Sequence, residues 1–380
     1  MTMDRKIRVL IVVPNYYPFV GGIETLIRTF LRSAKAKSII EPLIVFPDRL
    51  KRFKSGEHYQ VEGVNVLPIS GFGSDFEWVK TRNASELVRI WASVRHIIQD
   101  FKPNIVHVNG IAELTVPFLS IAQSLSIKTL AHIHGEVLLN TNRTVLDFVA
   151  ASSRVLVVSE AVRNSLLRHE FDSQVIEVIV NGVSPHLDCK TKSLFRDANQ
   201  LIMAGRLDAQ KGFIDGLKAF HLLLKSRPNL KLVIVGAGSE IQNINDLVKS
   251  KGITKKVRLA GPLSLEQTRD YICTSSLMLV PSRNIEGFGL VAAEAGMCGV
   301  PVVATQVGGL PETVIAGRSG LLVEPNNPVA MASAAETILT SSELAQSFGR
   351  FAKKHISENF GLLTFTQRLL LQYSRIMMHS

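Results

Sequence analysis

Short apolar runs alternate with stretches of helical periodicity along almost the whole chain, in two blocks. The first block ends near residue 180, and the alternation starts again at residue 201. Most of the apolar runs end at Gly, Pro, Asn or Ser, which is typical of strands buried on both faces of a sheet. Strands and helices that alternate in this way form a parallel sheet with helices on both faces. The sequence therefore predicts an α/β protein with two doubly wound, Rossmann-like domains.

The alternation lapses between residues 184 and 199, where Pro185 and several charged residues form a polar connector. We place an N-terminal domain at residues 1–190 and a C-terminal domain at residues 197–362, and a length of 380 residues fits two domains. A final amphipathic helix at about residues 363–380 can pack back on the first domain. Two domains of this kind would face each other across a cleft, which is a preferred place for ligands.

Composition excludes several classes of protein. Hydrophobic residues make up 46% of the chain, which is enough for two cores and excludes a disordered protein. The longest apolar stretch is interrupted by Glu294 and Pro301, so we expect no membrane span. Three widely spaced cysteines, Cys189, Cys273 and Cys298, fit neither a disulfide framework nor a metal knuckle. We therefore expect a reducing, cytoplasmic setting.

The chain is basic, with a formal net charge of +11, and many cations lie in its first part. We call one group of them the basic cluster: Arg28, Arg32, Lys35, Lys37, Arg49, Lys51, Arg52 and Lys54. A basic surface can attract nucleic acid, anionic lipid or anionic substrates. No aromatic–basic or zinc-finger motif accompanies the cluster, so we expect no nucleic acid partner. Two interpretations stay open: an ordinary solvated surface, and peripheral binding to an anionic membrane surface that carries the acceptor.

The segment 280–304 combines a loop, a helix and two carboxylates. Its helix is predicted at residues 290–297, directly after Gly289. A helix N-terminus offers free N–H groups and the positive end of a dipole, which suits a phosphate. Glu286 lies in the loop before this N-terminus, and Glu294 lies about one turn inside the helix. Carboxylates beside a phosphate suit a ligand with hydroxyls, such as a sugar or a ribose, although a structural role for both is the alternative.

Three further loops follow predicted strands and carry candidate ligand-binding groups. Arg206 and Lys211 follow the first strand of the second domain, where each cation could donate a hydrogen bond worth about 1.5–3 kcal/mol to a diphosphate. Gly21 and Gly22 follow the first strand of the chain and could approach a ligand with backbone angles closed to other residues. His134 follows a strand of the first domain. A plain turn is the alternative for the glycines, and a structural histidine is the alternative for His134.

The run Val-Gly-Ala-Gly-Ser-Glu-Ile that starts at Val235 partly matches the dinucleotide-binding fingerprint. Ile241 occupies the position of the third glycine, so an NAD-type oxidoreductase is a weaker alternative. A nucleotide kinase is not expected, because the chain contains no G-x-x-x-x-G-K-[ST] loop.

The pattern around the two glutamates resembles the signature of glycosyltransferase family 4. Gly287-Phe288-Gly289 separates Glu286 from Glu294, and Gly299-Val300-Pro301-Val302 follows them. Members of this family are retaining, nucleotide-sugar-dependent enzymes with the GT-B fold. The resemblance implies transfer of a sugar, of the hexosyltransferase type, from a nucleotide-diphosphate sugar to an acceptor hydroxyl in cell-surface polysaccharide or glycolipid synthesis. The donor would be UDP- or GDP-linked, and the acceptor a glycan or a lipid-linked molecule.

The resemblance also implies a role for each matching residue. The catalytic set would be His134 beside the transferred sugar, Glu286 facing that sugar, and Arg206 and Lys211 on the diphosphate. Substrate-binding positions would be Gly21, Gly22, Gly236, Gly261, Leu263, Phe288, Gly289, Leu290, Val291 and Glu294. Gly22 would lend an N–H group to the diphosphate, and Glu294 would face the ribose.

The sequence also indicates whether sugar transfer would need a metal ion. No D-x-D sequence occurs, so we expect metal-independent transfer with no cofactor besides the nucleotide sugar, which is a co-substrate. A non-catalytic nucleotide-sugar-binding subunit is the remaining alternative, and the intact catalytic set argues against it. For the enzyme itself we expect a cytoplasmic location. Peripheral binding at the inner face of the plasma membrane is a further option.

Overall fold

The structure is a computed structural model, and it describes residues 6–16, 21–48, 57–69, 84–111, 115–135, 137, 141–185, 189, 196–284 and 286–378. The chain divides into two compact units. Unit 1 comprises Met1–Val180 together with Leu363–Ser380, and unit 2 comprises Asn181–Leu362. Each unit contains its own sheet, so each is described separately.

The described residues of unit 1 form one sheet of eight strands. The strands are Ile7–Val12 (β1), Ile40–Pro47 (β2), Tyr59–Val61 (β3), Val64–Ile69 (β4), Ile105–Asn109 (β5), Lys128–Ile133 (β6), Arg154–Val157 (β7) and Ile176–Val178 (β8). Their order across the sheet is β3-β4-β2-β1-β5-β6-β7-β8, and all neighbours are parallel except β3 and β4. The strand order reverses between β1 and β5, so the loops that follow these two strands lie where open α/β sheets place ligands.

Helices cover this sheet. The spacing of the buried residues along a helix determines which of its faces packs inward. The helices are Gly22–Arg32 (α1), Ala34–Ile39 (α2), Ala84–Phe101 (α3), Thr115–Ser124 (α4), Arg143–Ala150 (α5), Glu160–Leu167 (α6) and the C-terminal helix Leu362–Met378. In α3 the buried residues are Ile90, Val94 and Ile98, one turn apart. Ser159 caps the N-terminus of α6, because its side chain accepts from the N–H of Val162 at 3.1 Å.

Unit 2 contains a parallel sheet of six strands. The strands are Asp197–Ala204 (β9), Lys231–Val235 (β10), Val257–Gly261 (β11), Ser275–Val280 (β12), Val302–Thr305 (β13) and Gly320–Val323 (β14), in the order β11-β10-β9-β12-β13-β14. The chain builds outward from β9 to β11 and then returns to place β12 on the other side of β9. The loops after β9 and β12 therefore lie together at the point where the strand order reverses.

Helices lie on both faces of this second sheet. The α-helices are Phe213–Leu223 (α7), Ile241–Ser250 (α8), Leu265–Thr274 (α9), Leu290–Met297 (α10), Leu310–Thr313 (α11), Pro328–Thr340 (α12) and Ser342–Asn359 (α13). Successive strand residues point to opposite faces, so Leu201 and Met203 pack in one hydrophobic cluster while Ile202 packs in another. The prediction of doubly wound α/β sheets is confirmed. Within the described residues, no helix combines the length and the apolar character that a membrane span requires.

Candidate functional site

Lys211 and Glu286 meet at the reversal point of the unit 2 sheet. Lys211 lies in the loop after β9, and Glu286 lies in the loop after β12. The Nζ atom of Lys211 donates to Oε2 of Glu286 at 2.8 Å, and Oγ of Ser282 donates to the same oxygen at 3.0 Å. Glu286 is only 8% exposed. The structure therefore brings together a predicted cation and a predicted carboxylate from loops 75 residues apart in sequence.

Backbone contacts between the two loops set the position of this pair. Gly212 has φ of 66°, and a Cβ atom there would lie 1.9 Å from the carbonyl oxygen of Pro281. Any other residue would force the loops apart. The N–H of Arg283 also donates to the carbonyl of Gln210 at 2.8 Å, which joins the loops directly. Thr305 on the neighbouring strand β13 donates to the carbonyl of Ser282 at 2.6 Å.

Arg206 lies in the same loop as Lys211 but does not reach Glu286 in this structure. Its Nε atom lies 2.5 Å from Oδ2 of Asp208, and its side chain is 73% exposed. Oδ1 of Asp208 accepts from the main-chain N–H of Lys211 at 3.1 Å. Asp208, which the sequence analysis did not select, thus pairs with the Arg206 guanidinium and also accepts from the main chain of Lys211. The exposed position leaves the Arg206 guanidinium free to turn toward a bound anion.

The glycine-rich turn after β10 supports the loop that carries Arg206. Gly236 has φ of 139°, and a Cβ atom there would lie 1.8 Å from the carbonyl oxygen of Gly205. The N–H of Gly236 donates to the carbonyl of Gly261 at 2.9 Å. Leu263 is partly buried against the same hydrophobic cluster as β10. The predicted nucleoside-binding positions Gly236, Gly261 and Leu263 are therefore grouped at the carboxyl ends of β10 and β11.

The N-terminus of α10 has an open cap. Its N-cap residue, Gly289, has no side chain that could accept a hydrogen bond from the first N–H groups of the helix, which belong to Leu290 and Val291. Just before it, the main-chain carbonyl of Glu286 accepts from the N–H of Gly309 at 2.8 Å. A Cβ atom at Gly308 would lie 2.0 Å from the same carbonyl oxygen. The Gly308-Gly309 turn, which the sequence analysis missed, therefore holds the Glu286 backbone beside this helix end.

Glu294 lies inside unit 2, on α10, and is 5% exposed. Burial raises its pKa to about 7, and the nearby charge of Arg269 on α9 acts in the opposite direction. Oε1 of Glu294 lies 3.8 Å from Nη2 of Arg269. At this distance the two groups attract each other without a direct hydrogen bond. The orientation of Glu294 toward a ribose stays a prediction.

The three cysteines lie together in unit 2. Cys189 and Cys273 form a disulfide, Cys298 is a buried free cysteine, and the three sulfurs lie within 4.8 Å of one another. Burial, with the neighbouring charge of Glu294, raises the pKa of Cys298 to about 12. The expectation that the cysteines form no disulfide is wrong, because α9 and the connector bring together residues that are 84 positions apart. The argument from cysteine spacing to a reducing compartment loses its basis.

Replacing Cys189 by serine should destabilise unit 2 by on the order of 4 kcal/mol, because a crosslink closing a loop of this length restricts the unfolded chain. The same loss should follow from reduction of the wild-type protein. Urea unfolding monitored by circular dichroism measures both. Cys298→Ser is the matched control, because it retains the crosslink. Its unfolding also cannot be affected by oxidation of a thiol at position 298. Three titratable thiols per chain in denatured, oxidised wild-type protein, instead of one, would contradict the disulfide.

In unit 1, His134 directly follows β6, where the sequence predicted it. It is partly exposed, whereas His132 and His107 are fully buried. Nε2 of His134 lies 3.0 Å from Oδ1 of Asn109, the last residue of β5. Burial lowers the pKa of His134 to about 3, so its imidazole is neutral at physiological pH. Asn109 is a second site residue that the sequence analysis missed.

Gly21 and Gly22 precede and begin α1. The expectation that they need backbone angles closed to other residues is wrong for Gly21, which is extended with φ of −141°. A Cβ atom there would lie 2.2 Å from Oε2 of Glu24, the end of a flexible side chain that can shift, so the position does not require a glycine. Gly22 adopts an ordinary helical conformation as the first residue of α1. Ligand binding by Gly21 and Gly22 stays a prediction.

Comparison with protein families matches two consecutive parts of the chain. Residues 20–187 match the model described as Glycosyltransferase Family 4, and residues 189–355 match the model described as Glycosyl transferases group 1. The two matches adjoin each other in the connector. Together they extend over nearly all of the sequence.

Curated relatives carry glycosyltransferase names. An uncharacterized glycosyltransferase of Methanocaldococcus jannaschii is 28% identical over 350 residues, which are 89% of this chain and 90% of that protein. A D-inositol 3-phosphate glycosyltransferase of Paenarthrobacter aurescens is 31% identical over 226 residues. That second match covers 56% of this chain and 55% of the relative.

Solved structures share this fold over nearly the whole chain. The sucrose-phosphate synthase of Thermosynechococcus elongatus has a TM-score of 0.78 at 19% identity and covers 99% of this chain and 100% of its own. The Anabaena protein HepE, solved in complex with UDP-glucose, has a TM-score of 0.78 at 16% identity, covering 97% of this chain and 100% of its own. At such identities the likeness concerns the fold, and it confirms the predicted GT-B architecture.

Proposed function

Because this chain belongs to glycosyltransferase family 4, we propose that it is a retaining enzyme that moves a hexosyl group from a nucleotide-diphosphate sugar to an acceptor hydroxyl. The observation that carries the proposal is the pairing of Lys211 with Glu286 at the reversal point of the unit 2 sheet. That pair lies in the loops where this fold binds ligands, beside the open N-terminus of α10. Cation, carboxylate and helix end together offer partners for a diphosphate and a sugar.

The donor diphosphate would bind in unit 2. Lys211, Arg206 and the N–H groups of Leu290 and Val291 supply positive charge, while Glu286 can accept hydrogen bonds from sugar hydroxyls. During transfer the bond from the anomeric carbon to the diphosphate oxygen breaks, and its electron pair leaves with the diphosphate. The acceptor oxygen bonds to the same carbon, and its proton passes to an oxygen of the leaving diphosphate. Cations already in place stabilise the negative charge that develops on the leaving group.

The nucleoside would lie near Gly236, Gly261 and Leu263, with Glu294 on its ribose. We propose a UDP- or GDP-linked donor. Support for a uridine nucleotide comes from fold neighbours, since HepE was solved with UDP-glucose and the Escherichia coli trehalose-6-phosphate protein with UDP-2-fluoro glucose. Unit 1 would bind the acceptor, and it would contribute His134 to the transferred sugar and the N–H group of Gly22 to the diphosphate. The acceptor would be a glycan or lipid-linked molecule in cell-surface polysaccharide or glycolipid synthesis.

A donor panel tests this proposal. Purified protein is incubated with UDP-, GDP- and ADP-linked hexoses, with and without glycan and lipid-linked acceptors, and release of nucleoside diphosphate is measured. We expect release from one nucleotide series and, by proton NMR of the product, an anomeric configuration equal to that of the donor. An inverted product would contradict a retaining enzyme, and binding without turnover of any donor would favour a non-catalytic binding subunit.

We expect activity to survive an excess of EDTA, because side-chain cations and helix N–H groups neutralise the leaving diphosphate. Within the described part of the chain, the cysteine trio is the only group of three or more side chains that could hold a metal ion, and two of its sulfurs are bonded to each other. The measurement is turnover with EDTA, then with added Mn²⁺ or Mg²⁺. Loss of activity with EDTA and its return with metal would show that a divalent ion takes part.

We propose peripheral binding to anionic lipid at the cytoplasmic face of the plasma membrane, through the basic cluster. In the structure, part of this cluster is already paired. The guanidinium groups of Arg32 and Arg28 both bond to Glu62, and they lower the pKa of that carboxyl to about 2. Lys35 and Lys37 on α2 are exposed, and Arg49, Lys51, Arg52 and Lys54 lie outside the described residues. One carboxylate thus offsets one of these two positive charges, and Lys35 and Lys37 add two further positive charges among the described residues.

Replacing Lys35 and Lys37 together by glutamine should weaken binding to vesicles rich in phosphatidylserine by roughly tenfold or more, because each cation near such a surface contributes about 1 kcal/mol. Co-sedimentation at low and high salt measures the effect, which salt should reduce. The control is replacement of Lys249 and Lys251, at the end of α8, by glutamine, which removes the same amount of charge elsewhere on the protein. If wild-type protein shows no preference for anionic over neutral vesicles at low salt, the cluster is an ordinary solvated surface.

A further inference from the structure

Three histidines form a row in unit 1. His107 lies on β5, His132 on β6 and His134 just after β6, with ring centroids 5.7 Å apart for the first pair and 4.1 Å apart for the second. Burial lowers the pKa of His107 and His134 to about 3 and moves that of His132 in the same direction. All three rings are therefore neutral at physiological pH. A neutral imidazole carries its hydrogen on one nitrogen and leaves a lone pair on the other.

The hydrogen bonds of Asn109 determine which nitrogen of His134 carries the hydrogen. Nδ2 of Asn109 donates to the main-chain carbonyl of Val12, at the end of β1, at 3.2 Å. Because a carbonyl oxygen can only accept, the amide group is oriented with its nitrogen toward Val12 and its oxygen toward His134. That oxygen lies 3.0 Å from Nε2 of His134 and also can only accept. The donor in this bond must be Nε2.

We propose that Asn109 is a positioning residue that holds His134 in the tautomer with its hydrogen on Nε2. Nδ1 then bears the lone pair, and within the described residues it has no hydrogen-bond partner. Because Nδ1 is itself buried, a substrate hydroxyl can use this lone pair only once the groups around His134 have moved aside. The use of this acceptor rests on the proposed function, whereas the tautomer itself does not.

The surroundings of His134 make it sensitive to a charge at position 109. Among the described residues, the titratable groups that face it are His132 from β6 and His107 from β5. His107 is in turn bonded through Nδ1 to the hydroxyl of Tyr373 on the C-terminal helix at 2.7 Å. Burial raises the pKa of Tyr373 well above its ordinary value, so this group is neutral as well. Asn109 itself is 3% exposed, so a carboxylate there would act on His134 with little screening by water.

Two substitutions of Asn109 separate its roles. Asn109→Asp keeps an acceptor beside Nε2 but adds a negative charge, which favours the imidazolium and should raise the pKa of His134 by roughly one to three units. Asn109→Leu removes the acceptor, so His134 should populate both tautomers. Asn104→Leu is the matched control, because the Asn104 side chain accepts from the N–H of Arg8 at 2.8 Å, away from the histidine row.

The experiment is long-range proton–nitrogen NMR of full-length protein labelled with ¹⁵N-histidine, with His134→Gln to assign the signals. We expect wild-type and Asn104→Leu protein to carry the hydrogen on Nε2 of His134 from about pH 5 to 8. Asn109→Leu should show averaged tautomers, and the titration midpoint of His134 in Asn109→Asp should lie at least one pH unit above that of wild type. A hydrogen on Nδ1 in wild-type protein, or no change in either Asn109 variant, would overturn the proposal.

This NMR measurement needs neither donor nor acceptor, so it can succeed or fail independently of glycosyl transfer. If transfer is observed, kcat of Asn109→Asp should fall toward acid pH in parallel with the titration of His134, with donor KM unchanged. A purely structural role of Asn109 would not produce this parallel. If kcat of Asn109→Asp does not change as His134 titrates, the acceptor role of Nδ1 is overturned.

Discussion

Replacing Lys211 by alanine should lower turnover by roughly a hundredfold or more, as the loss of one preorganised donor to a developing negative charge typically does. The ammonium lies 2.8 Å from Glu286 at the reversal point of the unit 2 sheet, beside the open helix end that we assign to the diphosphate. Arg206→Ala should have an effect of similar size, because its exposed guanidinium can turn from Asp208 to the phosphate. Steady-state kinetics with a saturating acceptor measure both variants.

A surface lysine of the same unit provides the control. Lys218 on α7 is half-exposed, lies 3.9 Å from Asp215 and contacts neither loop of the site in any described interaction, so Lys218→Ala should keep wild-type turnover. Lys211→Met adds a second test, since it keeps much of the aliphatic stem and removes only the charge. Turnover within threefold of wild type for both Lys211→Ala and Arg206→Ala would show that these cations do not hold the leaving group.

Glu286→Gln should lower kcat more than it raises donor KM. Glu286 precedes the glycines of the loop and is held by Lys211, Ser282 and the turn at Gly308-Gly309, so its carboxylate is fixed beside the proposed sugar site. A carboxylate that orients the sugar keeps the anomeric carbon in line with the acceptor, and misplacement there reduces rate. The change to glutamine keeps the shape and removes the charge. We expect kcat to fall by roughly tenfold or more.

Glu294→Gln should do the reverse and raise donor KM more than it lowers kcat. A contact with the ribose is equally strong in the ground state and the transition state, so its loss appears as weaker binding. Calorimetric affinity for the free nucleoside diphosphate should accordingly fall for the Glu294 variant and stay near wild type for the Glu286 variant. The opposite pattern would mean that the two carboxylates have exchanged roles.

Local sequence signals were enough to locate the central segment. The helix expected at residues 290–297 is present with the same ends, because Gly289 adopts a left-handed conformation before it and Gly299 another after it. Strand β12 begins earlier than its apolar run suggests, at Ser275. Its polar start is stabilised by tertiary pairing, since the Ser276 hydroxyl donates to the carbonyl of Gln200 on β9. Pairing of this kind leaves no hydrophobic pattern in the sequence.

Two short elements were missed although each had a local signal. Strand β3 joins β4 through a tight turn in which Glu62 and Gly63 both have positive φ, and a glycine between two apolar–polar runs is a hairpin signal. Helix α2 follows α1 directly, and Ser33 both ends the first helix and caps the second by accepting from the N–H of Ala36. A serine that ends one helix can cap the next, and this is the local signal for the second helix.

The rest of the site depends on tertiary contacts. Nothing near Asp208 or Ser282 in the sequence indicates that Asp208 contacts Arg206 and the main chain of Lys211, or that Ser282 bonds Glu286, because the conformation of each loop depends on its tertiary contacts. The link between Asn109 and His134 likewise crosses from one strand to the next. The disulfide between Cys189 and Cys273 shows the same limit, since spacing along the chain carries no information on proximity in the fold.

The most direct test of the central claim, that unit 2 binds a nucleotide sugar through its diphosphate, is calorimetric titration of the full-length protein in EDTA. UDP, GDP and NADH are titrated into wild-type protein and into Lys211→Ala. We predict that one of the two nucleoside diphosphates binds with a stoichiometry of about one, as a single diphosphate site requires, and that Lys211→Ala binds it much more weakly. Binding of NADH with no binding of either nucleoside diphosphate, or equal affinity in the variant, would contradict the assignment.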